Sequence, residues 1–224
     1  MNDDFFLDTY DSGVGSTIVF THGWTDNRNA WDGVIANLND HARCIAWSIR
    51  GHGESFAPPP GHYTRDHTLS DLKAITERSE EKVILAGHSL GGYLSLAHSL
   101  LYPEDVEALI LVGAGPGFRK RESIDQWNSS VIESAKKLDL PEGSEATALH
   151  TDAWVIDSLN EIKVPTLVIV GEHDKRFRAS MSVFEKYLNV KTSVVVEDAG
   201  HSVHRKKPLE VANAIKDFLG EISQ

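Results

Sequence analysis

The chain has 224 residues, of which 41% are hydrophobic and 25% are charged, a composition typical of one folded domain with its own core. Its 22 basic and 33 acidic residues give a net charge of -11, which argues against nucleic acid or anionic membrane as a partner. The single cysteine, Cys44, excludes an intrachain disulfide. The first residues are acidic where a secretory signal is basic, and no apolar run reaches the about 18 residues of a membrane span. We therefore expect one cytoplasmic domain over residues 1–224.

Short apolar runs and amphipathic segments alternate along the chain. Strands are predicted where apolar or β-branched residues run together, at 5–10, 17–20, 44–49, 83–86, 106–112, 164–170 and 192–196. Helices are predicted where apolar residues recur at helical spacing, at 28–38, 64–79, 90–101, 177–188 and 209–222. This alternation predicts an α/β fold in which a mostly parallel, twisted sheet carries helices on both faces.

The segment 118–163 departs from that alternation. It contains short amphipathic pieces at 124–138 and 147–159, with a Pro-Glu-Gly turn between them. A connection of about 45 residues is longer than an ordinary crossover. We therefore predict a short helical cap of two or three helices over the carboxyl edge of the sheet, where open α/β sheets bind their ligands. Ordinary crossover helices are the alternative.

The sequence Gly87-His88-Ser89-Leu90-Gly91 joins a predicted strand directly to a predicted helix. A turn this tight is strained, and the glycines on either side of Ser89 remove side chains that would collide. The hydroxyl of Ser89 is thereby expected at the apex of the turn, at the N-terminal end of a helix. Ser89 is the predicted nucleophile.

A serine nucleophile needs a base within hydrogen-bond reach and a third group that orients the base. The loop after the strand at 164–170 offers Glu172 and Asp174, and the loop after the next strand offers His201. Both loops follow strands of the parallel sheet, so they share one edge with Ser89. Asp174 is favoured over Glu172, because Asp174 is far enough from the strand to turn back toward His201.

Two backbone amides are candidates for binding the oxyanion that forms when a serine attacks a carbonyl. Leu90 follows the nucleophile at a helix N-terminus, and Trp24 lies in the loop after the strand at 17–20. The side chains that could line the substrate pocket are Trp24, His88, Phe118, Trp127 and Trp154. For His88 the alternative role is a hydrogen bond that shapes its loop. The 11 histidines show no metal-ligand spacing with carboxylates, so we expect no metal.

Five motifs, in this order, resemble those of the α/β-hydrolase superfamily, in its single-domain branch of esterases, lactonases, C–C bond hydrolases and cofactor-free haloperoxidases. They are His22-Gly23-Trp24, Arg50-Gly-His-Gly-Glu-Ser55, Gly87-His-Ser-Leu-Gly-Gly92, Gly171-Glu-His-Asp174, and Gly200-His201 with Pro208. The resemblance implies the α/β-hydrolase fold and a triad of Ser89, Asp174 and His201. The chain departs from the family pattern at Ser48 and Lys206, and neither position belongs to the triad.

These observations predict a serine hydrolase that cleaves a small carboxylic ester or lactone through an acyl-enzyme, without a cofactor. Hydrolysis of a C–C bond, or acyl transfer to another acceptor, would use the same three residues and stays an alternative. A small-molecule receptor built on a hydrolase scaffold is an alternative of a different class. The complete triad weighs against a receptor, because a protein that only binds has no need of nucleophile, acid and base together.

Overall fold

The computed structural model describes residues 6–223, whose strands form one seven-stranded sheet in the order β1-β3-β2-β4-β5-β6-β7. The strands are β1 (Thr9–Ser12), β2 (Thr17–Thr21), β3 (Arg43–Trp47), β4 (Val83–His88), β5 (Val106–Val112), β6 (Pro165–Gly171) and β7 (Asn189–Val196). Strand β1 pairs antiparallel with β3, whereas the other adjacent pairs in the described sheet are parallel. The predicted mostly parallel sheet is confirmed.

Eight α-helices occur in the described residues. They are α1 (Asp32–Ile35), α2 (Arg65–Thr76), α3 (Leu90–Leu101), α4 (Arg121–Ala135), α5 (Trp154–Ser158), α6 (Arg178–Tyr187), α7 (Val203–Lys206) and α8 (Pro208–Ile222). None of these helices is long and apolar enough to cross a lipid bilayer.

Helices cover both faces of the sheet, because successive strand side chains point to opposite sides. In β4, Leu85 belongs to an apolar cluster that also contains residues of α2, α3, α5 and α6. Its neighbour Ile84 belongs to a second cluster with residues of α1, α7 and α8. The sheet is therefore buried between two helical layers, as the near-continuous apolar strands predict.

Two predicted elements have different bounds in the structure. The first strand was expected at 5–10, of which Phe5 lies outside the described residues, and β1 begins only at Thr9 because the Asp8 amide donates to Ser55 Oγ at 2.9 Å. The helix expected at 28–38 is a 3-10 turn followed by the four-residue α1. Beyond α1 the chain keeps the tighter turn, since the Asn37 amide donates to the carbonyl three residues back, at 3.0 Å.

The two helices of the segment predicted as a cap have different environments. Helix α4 is mostly exposed and buries only Ile124 and Val131. Helix α5 instead places Val155 in the same apolar cluster as the sheet, together with Leu159 and Ile162 just after it. Only the first half of the segment thus has the environment of a cap, and the division into domain and cap stays a prediction.

Candidate active site

Ser89 occupies the sharp turn between β4 and α3, with φ 52° and ψ -112°. A positive φ is strained for a residue with a side chain, so the turn depends on its neighbours. A Cβ on Gly91 would collide with the carbonyl of Thr21, and a Cβ on Gly87 would collide with the backbone of Gly91. The two glycines therefore let the sheet and helix approach closely while the serine is held at the apex.

Asp174 and His201 lie in the loops after β6 and β7, and they form a hydrogen bond of 2.8 Å between Asp174 Oδ2 and His201 Nδ1. Because a carboxylate can only accept, Nδ1 carries the proton and Nε2 is left as a base. The carboxyl side chain is 3% exposed and the imidazole 40% exposed, so the acid is buried behind the base. Glycine at 113, with φ 52°, leaves room for both side chains beside it.

Ser89, Asp174 and His201 line one cavity of about 660 Å³, which we call the Ser89 cavity. Its volume is in the range of small-molecule sites. No hydrogen bond joins Ser89 Oγ to His201 in residues 6–223, an arrangement common in serine hydrolases without substrate. Ser89 and His201 therefore lie on the wall of the same cavity.

Four of the five predicted pocket residues line the Ser89 cavity, and one does not. Trp24, His88, Phe118 and Trp127 are on its wall. Trp154 is absent from the wall and packs against the apolar cluster of the sheet, with the guanidinium of Arg65 5.1 Å from its ring centroid. The structure therefore places Trp154 away from the Ser89 cavity, because α5 packs on the body of the domain.

The amides of Trp24 and Leu90 have no backbone carbonyl partner among the described residues, and both residues line the Ser89 cavity. The peptide group between Gly23 and Trp24 contains the Gly23 carbonyl and the Trp24 amide. It is held through the carbonyl. His22 accepts the Ile49 amide at Nε2 (2.9 Å), so its Nδ1–H donates to Gly23 O at 2.7 Å. Since the two ends of a trans peptide point in opposite directions, this bond turns the Trp24 N–H away from His22.

His88 is buried next to Ser89 and forms a hydrogen bond with the loop that carries His201. Its Nε2–H donates to the main-chain carbonyl of His201 at 3.0 Å, while Nδ1 is buried without a partner. Burial lowers the pKa of His88 to about 3, with repulsion from His201 adding to the shift. His88 is therefore neutral at neutral pH and acts on the site through its loop.

Several side chains on the wall of the Ser89 cavity were not predicted from the sequence, among them Tyr93, His150, Arg176 and Phe177. Two of these had a local signal, since Tyr93 is one helical turn after Ser89 and Phe177 is three residues after Asp174. His150 had none, because it lies in the irregular segment between α4 and α5.

His150 is 8% exposed, and its Nδ1 is buried without a partner. Its ring meets Tyr93 edge-on at 4.5 Å, Phe118 at 5.3 Å and Trp127 at 5.8 Å between centroids. Burial lowers the pKa of His150 to about 4, and the positive charge of Arg65 adds to the shift. The rings of Tyr93, Phe118, Trp127 and His150 thus form an aromatic part of the wall, and His150 adds no charge to it at neutral pH.

One group of exposed side chains could bring three metal-ligand atoms together. The ligand atoms of Glu172, His173 and Asp198 lie within 4.8 Å of one another, and none of these residues lines the Ser89 cavity. The Glu172 carboxylate already accepts the Asp198 amide at 3.1 Å. Exposed acidic groups of this kind are common without an ion, and within residues 6–223 no hydrogen bond joins these three side chains to Ser89, Asp174 or His201.

The chain belongs to the alpha/beta hydrolase fold family, whose sequence profile matches residues 16–138. It is 27% identical over 253 positions to a Bacillus subtilis protein named "Putative 2-succinyl-6-hydroxy-2,4-cyclohexadiene-1-carboxylate synthase", covering 93% of this chain and 92% of that one. It is also 34% identical over 138 positions to the 2-hydroxy-6-oxo-2,4-heptadienoate hydrolase of Pseudomonas putida. That match covers 58% of this chain and only 50% of the relative.

Among solved structures, the chain is similar to a thermophilic esterase from Thermogutta terrifontis. The TM-score is 0.82 at 25% sequence identity, over 97% of this chain and 94% of the esterase. The similarity extends over the whole sheet and its helices, which agrees with the fold derived above. Several other relatives are also matched over only 38% to 50% of their length, so the chain spans half or less of those proteins.

Proposed function

We propose that the chain is a serine hydrolase that cleaves a small carboxylic ester or lactone through an acyl-enzyme. The observation that carries the proposal is the 2.8 Å hydrogen bond between Asp174 and His201, on the same cavity wall as the strained Ser89. A strained turn and a buried carboxylate are costly for a protein that needs neither. Their presence in one small cavity supports nucleophilic catalysis.

In the first half-reaction the Ser89 oxygen attacks the carbonyl carbon while Nε2 of His201 takes the hydroxyl proton. The Asp174 carboxylate holds the imidazole in the required tautomer and stabilises the positive charge that develops on it. The amides of Trp24 and Leu90 donate to the oxyanion. When the intermediate collapses, the C–O bond to the leaving group breaks and His201 returns the proton to the departing alkoxide.

In the second half-reaction water replaces the serine hydroxyl as the attacking group. His201 removes one proton from the water as its oxygen adds to the acyl carbon, and the same two amides bind the second oxyanion. Collapse expels the serine oxygen, which His201 reprotonates, and the acid leaves. Each proton removed by His201 is thus returned, and the triad ends in its starting state.

Hydrolysis of a C–C bond is the second candidate, and the similarity to the Pseudomonas putida hydrolase favours it. The substrate in that name, 2-hydroxy-6-oxo-2,4-heptadienoate, contains no ester or lactone, so its hydrolysis must break a C–C bond. The same nucleophile, base and oxyanion amides would serve such a reaction. A parallel screen of p-nitrophenyl esters, lactones and a vinylogous diketone would separate these activities, and binding of these compounds without turnover would instead indicate a receptor.

Replacement of the nucleophile tests the proposal. We expect Ser89→Ala to lose about 10⁴-fold to 10⁶-fold in kcat while it keeps the fold. A fluorescent phosphonate should label the wild-type protein and the Ser129→Ala control, whose serine is on α4 outside the Ser89 cavity, but not Ser89→Ala. Turnover near the wild-type rate by folded Ser89→Ala protein would remove the basis of the proposal.

A further inference from the structure

The charged groups on the wall of the Ser89 cavity are paired, with one exception. Asp26 accepts two hydrogen bonds from Arg205, at 3.1 and 3.2 Å, and Asp174 is hydrogen bonded to His201. Arg176 is also on the wall, and no carboxylate within residues 6–223 forms an ion pair with it. Its positive charge is therefore available to a group that enters the cavity.

The guanidinium of Arg176 lies over the indole of Trp127, 5.3 Å from the ring centroid. The indole itself is fixed, because its Nε1–H donates to the Ala148 carbonyl at 2.8 Å and Phe118 packs against it at 5.6 Å. A cation over a ring face is attracted by the π-system without using its N–H groups. The stacking therefore positions Arg176 while its five donors stay free at the edge of the plane.

The place of Arg176 in the chain ties it to the reaction centre. It is two residues after Asp174 and directly before Phe177, whose ring stacks on the imidazole of His201. A ligand that pairs with Arg176 is thus held relative to the groups that act on the carbonyl. The protein as a whole carries a charge of -11, so its long-range field does not attract anions and this arginine supplies a local attraction.

We infer that Arg176 binds a carboxylate of the substrate, so that the enzyme prefers esters or lactones with a second, anionic group. This inference rests on the proposed hydrolase function. A carboxylate matches the planar edge of a guanidinium and can accept two parallel hydrogen bonds from it. The neutral aromatic wall formed by Tyr93, Phe118 and His150 receives the apolar part of the same molecule.

The test compares two substrates of nearly equal shape. p-Nitrophenyl hydrogen adipate carries a carboxylate, and p-nitrophenyl adipamate carries a neutral amide in its place. We expect the wild-type enzyme to have a kcat/KM for the acid about tenfold above that for the amide, mainly through KM, as for one charge-assisted contact at a partly exposed site. The Arg176→Gln variant should bring the ratio close to one, and Arg176→Lys should retain part of the preference.

The kcat/KM for the acid is divided by the kcat/KM for the amide within each variant. A general loss of folding or activity affects both substrates equally and therefore cancels. Arg178→Gln is the matched control, because Arg178 is exposed two residues after Arg176 but does not line the Ser89 cavity. This variant should keep the wild-type ratio. Salt should reduce the preference, since a partly exposed charge is screened. A wild-type preference for the amide, or equal losses for both esters in Arg176→Gln, would overturn the inference.

Failure of the proposed function has a different signature. If neither ester is turned over, the hydrolase proposal fails, and calorimetric titration of the Ser89→Ala protein with the two unreacted esters still measures the contact. Tighter binding of the acid that disappears in the Ser89→Ala, Arg176→Gln double variant would support the anion subsite. Equal affinities of Ser89→Ala for the two esters would refute it.

Discussion

The ring of Phe177 lies against the imidazole of His201, with centroids 4.8 Å apart and planes inclined by only 17°. The hydrogen bond to Asp174 fixes one edge of the imidazole, and the stacked ring limits its rotation about that edge. A stacked pair contributes about 1 kcal/mol beyond its buried area. We expect Phe177→Ala to lose about tenfold in kcat, and Phe177→Tyr, which keeps the flat face, to lose much less. Steady-state kinetics on the best ester of the screen would measure both, and an unchanged kcat in Phe177→Ala would contradict the role.

His22 is expected to act on the oxyanion through the peptide that follows it. Without the bond from His22 Nδ1 to Gly23 O, the carbonyl of the peptide that carries the Trp24 amide keeps only the longer bond from the Asp26 amide, at 3.2 Å, so the peptide is held less firmly. Removal of one oxyanion donor costs about 10²-fold to 10³-fold in kcat in other hydrolases, so misalignment in His22→Ala should cost about 10-fold to 100-fold. KM should change little, because the oxyanion exists only after attack. His41→Ala, an exposed histidine, is the control, and a change confined to KM would refute the prediction.

The two carboxylates of the loop after β6 should differ in their effect on activity. Asp174 is hydrogen bonded to His201, whereas the Glu172 carboxylate accepts the amide of Asp198 and forms no hydrogen bond with His201. We expect Asp174→Asn to lose about 10⁴-fold in kcat through loss of tautomer control. Glu172→Gln should stay within about threefold, because an amide oxygen can accept the same hydrogen bond. The opposite ranking would show that the acid was assigned wrongly.

Trp127 and Trp154 should differ in their effect on substrate length. For the wild type we expect kcat/KM across p-nitrophenyl esters to peak between acetate and hexanoate, because each further CH₂ gains about 0.8 kcal/mol only while apolar wall remains to receive it. Trp127→Ala enlarges the Ser89 cavity and should move the optimum to longer chains. Trp154→Ala should leave the optimum where it is, since Trp154 does not line the cavity. An optimum at dodecanoate in the wild type would show that a long channel is present.

Acid should destabilise the fold through its buried histidines. Burial lowers the pKa of His22 and His88 to about 3 and that of His98 and His150 to about 4, from the value of 6.5 expected in the unfolded chain. Above pH 6.5 these groups are neutral in both states, so they leave stability unchanged. Below it the unfolded chain binds protons that the folded chain does not. Stability should therefore fall as pH drops from 6.5 toward 4, by up to about 1.4 kcal/mol per pH unit for each group.

The slope of that loss can be assigned to a particular group. His150→Phe places a ring that cannot titrate among Tyr93, Phe118 and Trp127. The free energy of unfolding should therefore depend less steeply on pH below 6.5, by the contribution of one titrating group. Urea unfolding followed by tryptophan fluorescence at several pH values would measure it. A slope identical to that of the wild type would show that His150 takes up its proton in the folded state.

The order of elements and the proximity of Ser89, Asp174 and His201 were accessible from sequence because each has a local cause, and the catalytic roles of the three residues stay a prediction. Ser89, Asp174 and His201 each follow an apolar strand, and parallel strands bring their carboxyl ends to one edge. The environment of Trp154 was not accessible, since helical spacing shows that a residue faces apolar neighbours but not which ones. His150 reaches the cavity through the path of the chain between α4 and α5. Arg176 is held there by stacking on Trp127. Such contacts between distant segments leave no periodic signal in the sequence.

The hydrogen bond from His88 to the main-chain carbonyl of His201 links the end of β4 to the loop after β7, between residues 113 apart in the chain. Ser89 follows His88 directly, so neither the turn of Ser89 nor the loop of His201 can shift away from the sheet without breaking this bond or carrying the other along. Helix α4 contributes Trp127 and Val131 to the Ser89 cavity and is otherwise largely exposed. Entry of a bulky ligand should thus displace α4 while the distance between Ser89 and His201 stays constant, and amide hydrogen exchange would show faster opening in α4 than in either loop.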